Sequence, residues 1–163
     1  MIKFAKKNKF VKLPSKLETN GGYDIYANFE EPFVKLRAHE TTLVPTGLFS
    51  SFEKEWYVQF QNRGSNGSKG LLQACGVIDS SYRGEWFVAV TNTNNVDWYI
   101  AKKEYIDMLP EGTIKNTIYP YEKAICQFVI LPVPDINIIE ISFEELNNDK
   151  SDRGIGKIGS SGK

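Results

Sequence analysis

Short runs of apolar and alternating residues, separated by Gly, Pro, Asn and Ser, divide the chain and predict β-strands. Such runs occupy residues 34–37, 42–48, 56–61, 86–90, 125–131 and 136–143. No segment carries a long helical stripe, and residues 101–109 form the best short-helix candidate. Many short strands joined by turns predict an all-β fold of the sandwich or jelly-roll type.

Length and charge limit the number of domains and the classes of partner that we expect. The chain has 163 residues, enough for one domain with a real core, and its 20 Lys+Arg balance its 20 Asp+Glu. A net charge of zero gives no long-range field for nucleic acid or an anionic membrane, so neither is an expected partner. No run approaches membrane-spanning length, which predicts a cytoplasmic protein. Cys75 and Cys126 lie in apolar runs and are expected to be buried thiols.

The end of the chain differs in composition from the rest. Residues 147–163 are rich in Asn, Asp, Lys, Ser and Gly, with Ile155 and Ile158 as their only two apolar residues. Such a segment buries too little to order itself, so we expect a β-rich domain over 1–146 and a flexible arm over 147–163. Its glycine N–H groups and Arg153 could wrap an anion, although a plain solvated tail has a similar composition.

Four further elements carry candidate chemistry. In residues 76–85, an apolar pair leads to Asp79, a turn and Tyr82, which predicts a β-hairpin with an acid and an aromatic ring on its loop. The glycine-rich segment 62–70 could cradle a phosphate through Arg63. Glycines precede a strand that bears Asp24, and Gln127 interrupts an apolar strand. Each element alone is also compatible with a solvated loop or an outward-facing strand residue.

Taken in order with the arm, these elements resemble the five motifs of the trimeric dUTP pyrophosphatases, or dUTPases. The matching segments are residues 22–25, 62–65, 76–85, 124–127 and 153–162. The third and fifth segments are specific, whereas the other three would be weak alone. The resemblance spans nearly the whole chain, and its order and spacing identify the chain as a member of this family.

The resemblance implies a homotrimer of jelly-roll-like subunits, with three active sites built at the subunit interfaces. It implies hydrolysis of dUTP to dUMP and pyrophosphate with Mg²⁺ as cofactor. That reaction limits uracil in DNA and supplies dUMP for dTMP synthesis.

The resemblance also implies a role for each matching residue. Asp79 would activate the water that attacks the α-phosphate, Tyr82 would pack on the deoxyribose, and Asp24 would bind magnesium through water. Phosphate-binding positions would be Arg63, Gly64, Ser65 and Gln127. Main chain around the hairpin would read uracil, at Gln73, Gly76, Val77 and Ile78. The arm would close over the nucleotide with Arg153, Ile158, Gly159, Ser160 and Ser161.

Several positions depart from the family pattern. Asn62 replaces the usual proline, Gly64 replaces the usual serine, and Ile158 stands where an aromatic ring usually stacks on the base. An insertion over about residues 93–119 is longer than usual, and its role is open.

Two alternatives to the dUTPase function remain. A dCTP deaminase shares the fold, but its catalytic glutamate has no counterpart in residues 88–91. A dUTPase-like regulator that binds another protein would be the other alternative, and the insertion is where a regulatory partner would be sought.

Overall fold

The computed structural model of the chain describes residues 1–74, 76–151 and 154, and it is mostly β. The strands of this described part are β1 Lys3–Lys6, β2 Tyr23–Tyr26, β3 Phe33–Leu36, β4 Thr41–Pro45, β5 Leu48–Ser51, β6 Trp56–Gln61, β7 Leu71–Gln73, β8 Val77–Ile78, β9 Phe87–Asn92, β10 Trp98–Ala101, β11 Ile118–Pro120 and β12 Ala124–Pro132. Its helices are short: α1 Gly64–Gly67, α2 Phe143–Asn148, and 3₁₀ turns at Lys103–Met108 and Lys115–Thr117. None of these described helices is long and apolar enough to cross a membrane.

The strands form four small sheets in a jelly-roll-like arrangement. Their orders are β2-β12-β6-β8, β4-β9-β7, β11-β10-β3 and β1-β5. Neighbouring strands are antiparallel except for β10 and β11, which run parallel. The strands predicted over 34–37, 42–48, 56–61, 86–90 and 125–131 correspond to β3, β4 with β5, β6, β9 and β12. The predicted all-β, jelly-roll-like fold is therefore confirmed.

Trp86 is the centre of the core. It is fully buried, and its ring makes edge contacts with Phe4, Phe60 and Phe128 at centroid distances of 5.2, 5.7 and 5.5 Å. The indole Nε1 donates to Ser50 Oγ at 3.1 Å, so the polar atom of this ring is satisfied. These contacts join strands from two sheets, together with the residue before β9, in one aromatic cluster.

The prediction of a strand over residues 136–143 is wrong. Residues 134–142 have no regular secondary structure, and α2 begins at Phe143. A strand needs a hydrogen-bonded neighbour, and none of the described residues pairs with this segment, whose Ile138 is 96% exposed. Ser142 caps the helix by accepting from the backbone N–H of Glu145, a Ser-x-x-Glu signal that outweighs the alternating pattern.

The chain divides into two compact units, Met1–Val133 and Pro134–Lys163. The division into residues 1–146 and 147–163 remains a prediction.

Part of the segment predicted as an insertion, residues 93–119, builds the core. Strand β10 is buried along its whole length and pairs with β3 and β11. The short helix predicted over 101–109 is a 3₁₀ turn at Lys103–Met108. This segment therefore contributes to the first unit instead of projecting from it as a simple loop.

We predict that Trp86→Phe destabilises the protein by about 2 kcal/mol, because it removes buried ring volume and leaves Ser50 Oγ without its indole donor. Chemical denaturation followed by circular dichroism measures the change. The matched control is Trp56→Phe, since Trp56 is 42% exposed at the start of β6, and its cost should stay within about 0.5 kcal/mol. Equal costs for the two variants would contradict the central role of Trp86.

Candidate active site

An open cavity of about 540 Å³ lies where three of the predicted elements meet. It is lined by residues from β2, the turn after β6, β12 and the segment before β2. These are Ser15, Lys16, Leu17, Asn20, Gly22, Asp24, Arg63, Gly64, Ser65 and Gln127. The structure thus brings together Asp24, the predicted phosphate positions 63–65 and Gln127.

Strand pairing explains this convergence. β12 lies between β2 and β6, with Gln127 opposite Asp24 on one side and opposite Gln61 on the other. Arg63 follows two residues after Gln61, so it lies at the same end of the sheet as Asp24. Gly22 allows close packing there, because an added Cβ would lie 2.7 Å from the Gln127 side-chain oxygen.

The Arg63 guanidinium is held by three hydrogen bonds. Its Nε lies 2.9 Å from Asp24 Oδ1, Nη2 lies 3.4 Å from Asp24 Oδ2, and Nη1 donates to the Ala124 carbonyl at 3.0 Å. Both side chains are partly exposed, at 26% and 33%. A guanidinium has five N–H donors, so these bonds fix its orientation and leave part of its donor capacity for a ligand.

The turn that carries Gly64 and Ser65 is held in place by hydrogen bonds of buried side chains. Asn66 is buried, and its side-chain amide donates to the Ile125 carbonyl at 2.7 Å. The Tyr119 hydroxyl, also buried, shares its proton between Asn66 Oδ1 at 2.8 Å and the Ala124 carbonyl at 2.6 Å. Burial raises the pKa of Tyr119, so its hydroxyl stays protonated and remains a donor.

Asn62 connects this turn to two neighbouring elements. Its carbonyl accepts from Gln127 Nε2 at 2.8 Å, and its side-chain oxygen accepts from the backbone N–H of Gln73 at 2.6 Å. A proline at this position would keep the carbonyl but lose the side-chain bond to Gln73. The turn of residues 62–65, which holds the predicted phosphate positions, is named the phosphate turn. The departure at residue 62 therefore adds a link between the phosphate turn and β7, where the predicted uracil-reading segment begins.

Asp79 and Tyr82 lie together on an exposed turn, as predicted. The Tyr82 backbone N–H donates to the Asp79 carbonyl at 3.1 Å, and the Tyr82 hydroxyl donates to the Glu85 carbonyl at 2.9 Å. The ring lies directly over Gly84, where an added Cβ would overlap its hydroxyl. Arg83 Nη1 closes the turn by donating to the Ser80 carbonyl at 2.6 Å.

The predicted hairpin has a different strand pairing from the one expected. β8 pairs with β6, whereas β9 pairs with β7 and β4. Residues 79–86 therefore connect two sheets, and the hairpin partner of β9 is β7. Because β8 has only two residues, it forms few hydrogen bonds, and its pairing with β6 decides its position.

In the described part of one chain, Asp79 does not line the cavity. Ile78 pairs with Val58, and β8 runs antiparallel to β6, so Asp79 continues away from Gln61 and Arg63. The three residues from Val58 to Gln61 already span about 10 Å of strand. Asp79 and the predicted phosphate positions of one chain therefore lie towards opposite ends of the same sheet.

The residues of the cavity fit a magnesium ion that is held mainly by the phosphates of a bound molecule. Asp24 supplies a partly exposed carboxylate to the cavity, and Gln127 supplies an amide oxygen beside it. The described residues contain no group of three or more His, Cys, Asp or Glu that could hold a metal. One carboxylate suits Mg²⁺, which keeps several waters and binds through substrate phosphates.

Some predicted site residues do not line the cavity. Arg153, Ile158, Gly159, Ser160 and Ser161 lie outside the described residues. Gly76, Val77 and Ile78 lie beside β6, and the Phe60 backbone N–H donates to the Gly76 carbonyl at 2.8 Å.

Sequence reasoning missed Lys16 and Tyr119. Lys16 gave a weak signal, a cation just before the first motif, whereas no local pattern links Tyr119 to the site.

The fold and the site together define a jelly-roll-like β protein with an open polar cavity. The dUTPase family model matches residues 9–109. Over 158 residues the chain is 34% identical to the deoxyuridine 5'-triphosphate nucleotidohydrolase of Fusobacterium nucleatum, covering 94% of this chain and 91% of the relative. The corresponding protein of Nautilia profundicola is 31% identical, with 99% of each chain covered. The chain belongs to the dUTPase family.

Solved structures agree on the fold. The dUTPase of Staphylococcus bacteriophage 80alpha, solved with dUpNHpp, superposes with a TM-score of 0.73 at 22% identity, covering 100% of this chain and 99% of that one. The dUTPase of phage phi11 of S. aureus, solved as a mutant with a structural Mg(II) ion, gives a TM-score of 0.65 at 18% identity, covering 88% and 99%.

We predict that Tyr119→Phe lowers the free energy of unfolding by about 1–2 kcal/mol, because the buried Asn66 side-chain oxygen loses its donor at 2.8 Å and keeps only the long bond from Ser65 Oγ at 3.4 Å. Denaturant unfolding measures the loss. Tyr99→Phe is the matched control, since Tyr99 is also buried and lies in the same segment, against Phe33 and away from the cavity.

Folding raises the pKa of Tyr119, so the stabilisation it brings is fully present below the pKa of a free tyrosine, about 10, and is lost as the pH rises above it. The stability difference between the wild type and Tyr119→Phe should shrink in that alkaline range. A difference that is constant with pH, or an equal loss in Tyr99→Phe, would contradict the anchoring role.

Proposed function

We propose that the protein hydrolyses dUTP to dUMP and pyrophosphate. The observation that carries the proposal is the cavity in which Asp24, Arg63, Ser65 and Gln127 converge, in a chain of the dUTPase family. Relatives such as the Fusobacterium nucleatum protein are named as deoxyuridine 5'-triphosphate nucleotidohydrolases.

The phosphates of the nucleotide bind in the cavity. Arg63 keeps N–H donor capacity for phosphate oxygens while Asp24 and the Ala124 carbonyl hold its plane. The Ser65 hydroxyl and the exposed backbone of Gly64 lie beside it and offer further donors. These groups need little rearrangement when charge develops on the leaving pyrophosphate, because Asn66 and Tyr119 already fix the turn.

Asp79 acts as the general base. Its carboxylate is exposed on the turn after β8, where a water can reach it and take a position for attack on the α-phosphorus. The water oxygen forms a bond to the α-phosphorus as the proton passes from that water to the Asp79 carboxylate. The bond between the α-phosphorus and the bridging oxygen breaks, and that oxygen leaves with the pyrophosphate. Tyr82, three residues later and 42% exposed, packs on the deoxyribose and leaves no room for a 2′-hydroxyl group.

Magnesium would be bound by the phosphates and, through water, by Asp24. When bound, the ion neutralises charge on the triphosphate. Gln127 lies opposite Asp24 in the strand register and orients the surrounding polar groups by its bond to the Asn62 carbonyl.

The complete site needs more than one chain. Asp79 lies at the far end of the sheet from the cavity of its own chain, so the base must come from a neighbouring subunit. A symmetric homotrimer supplies three equivalent combinations of this kind. We propose that the arm, residues 147–163, covers the bound nucleotide and brings Arg153, Ser160 and Ser161 to the phosphates and Ile158 with Gly159 to the base.

The alternative functions are weaker. A dCTP deaminase would need a carboxylate in residues 88–91, and this stretch of β9 is Val-Ala-Val-Thr. A regulatory protein partner remains a prediction.

We predict that the purified protein, supplied with Mg²⁺, releases pyrophosphate from dUTP and not from dCTP, dTTP or UTP. The measurement combines a pyrophosphate assay with an ammonia assay. Ammonia from dCTP would replace the proposal with the deaminase function. Removal of Mg²⁺ by a chelator should suppress turnover, and its restoration by added Mg²⁺ serves as the control.

We predict that Asp79→Asn and Arg63→Ala are each inactive, and that mixed trimers of the two recover turnover. The loss in Asp79→Asn should be about 10²–10⁴-fold, the usual contribution of a general base. In random mixtures, about a quarter of the sites combine an intact Asp79 with an intact Arg63 from different chains.

Co-expression of the two variants followed by the pyrophosphate assay measures this recovery. Co-expression of Asp79→Asn with an Asp79→Ala chain is the control and should restore nothing. No recovery in the Asp79→Asn and Arg63→Ala mixture would place both groups in the site of one chain.

A further inference from the structure

Lys16 lies at the rim of the cavity, next to the strand that carries Asp24. The Asp24 backbone N–H donates to the Ser15 carbonyl at 2.7 Å, and residues 15 and 24 form an isolated antiparallel bridge. This bridge places the segment 15–20 along the cavity wall, where Lys16 and Asn20 both contribute to the lining.

The Lys16 ammonium is held in one region by its surroundings. Nζ donates to the Asn20 carbonyl at 2.8 Å and lies 5.2 Å from the centroid of the Tyr23 ring. That ring is itself stacked on the core residue Phe128, at 5.2 Å and an interplanar angle of 15°. The charged end of Lys16 therefore lies over a ring that is fixed by the core, in a cation–π contact.

The charges around the cavity leave Lys16 uncompensated. Three charged side chains line it: Lys16, Asp24 and Arg63. Asp24 and Arg63 neutralise each other in an ion pair of 2.9 Å. Among the described residues, Lys16 makes no ion pair, so its charge gives the cavity its net positive character.

We infer that Lys16 binds the polyphosphate chain of the substrate, at the phosphates distant from the sugar. The inference rests on the proposed function for the identity of the nucleotide. Asp79 and Tyr82 act on the α-phosphate and the sugar from a neighbouring chain, so the cavity of this chain holds the remaining phosphates. An ammonium with free donors meets their oxygens as a point charge and can follow the chain through its flexible stem.

The experiment compares Lys16→Gln, Lys16→Arg and the wild type. Lys12 is the matched control, because its ammonium also contacts a ring, that of Tyr26 at 4.8 Å, and donates to a backbone carbonyl, that of Glu122 at 3.2 Å. Lys12 does not line the cavity. Both lysines are exposed, so thermal unfolding should show equal stability for Lys16→Gln and Lys12→Gln.

Lys16→Gln should raise the KM for dUTP and weaken inhibition by inorganic pyrophosphate by about two- to fivefold, the range of one exposed ion pair. The turnover number and inhibition by dUMP should change little. The salt dependence of KM should become shallower, because one charge no longer takes part. Lys16→Arg should restore most of the pyrophosphate affinity, and Lys12→Gln should match the wild type.

Equal effects of Lys16→Gln and Lys12→Gln, or unchanged inhibition by pyrophosphate in Lys16→Gln, would overturn the inference. An equal loss of affinity for dUMP would overturn the assignment to the distant phosphates. Calorimetric titration of the wild type and Lys16→Gln with pyrophosphate and Mg²⁺ requires no turnover. If the wild type does not hydrolyse dUTP, the proposed function fails, and this titration still decides the role of Lys16.

Discussion

The position of β12 between β2 and β6 is the constraint on which the site depends. Its ladder bonds set Gln127 opposite Asp24 and opposite Gln61, so three sequence-distant segments end beside one another. The neighbouring residue on β12, Phe128, packs in the core against Trp86. Because side chains alternate along a strand, one residue fixes the register from the core while the next presents an amide to the cavity.

A chain of satisfied hydrogen bonds extends this register into the phosphate turn. Asp24 orients Arg63, the Ala124 carbonyl accepts from both Arg63 and Tyr119, and Asn66 joins Tyr119 to the turn. Buried polar groups are costly when unpaired, so each member of the network restricts the next. The segment containing Tyr119 therefore has a structural link to the site, although no motif marks it.

The same sheet geometry separates the two halves of the chemistry. β6 carries the phosphate turn at one end and pairs with β8, which leads to Asp79, towards the other. In the proposed mechanism, the base of a single chain therefore lies far from the phosphate cavity of the same chain. Association of identical chains would bring the two together, so we expect catalysis to depend on assembly as well as on folding.

Much of the fold and the site chemistry was determined by the sequence alone. Apolar alternation predicted β6, continuous apolar runs predicted β9 and β12, and the motifs around Asp24, Arg63, Asp79 and Gln127 indicated their chemistry, because spacing and residue type are local properties. Tertiary structure decided what depends on partners distant in the chain. The alternating segment 136–143 found no strand to pair with among the described residues, and β8 joined β6 instead of β9. Tyr119 reached the site through packing that no local pattern encodes, and Lys16 gave only a weak local signal.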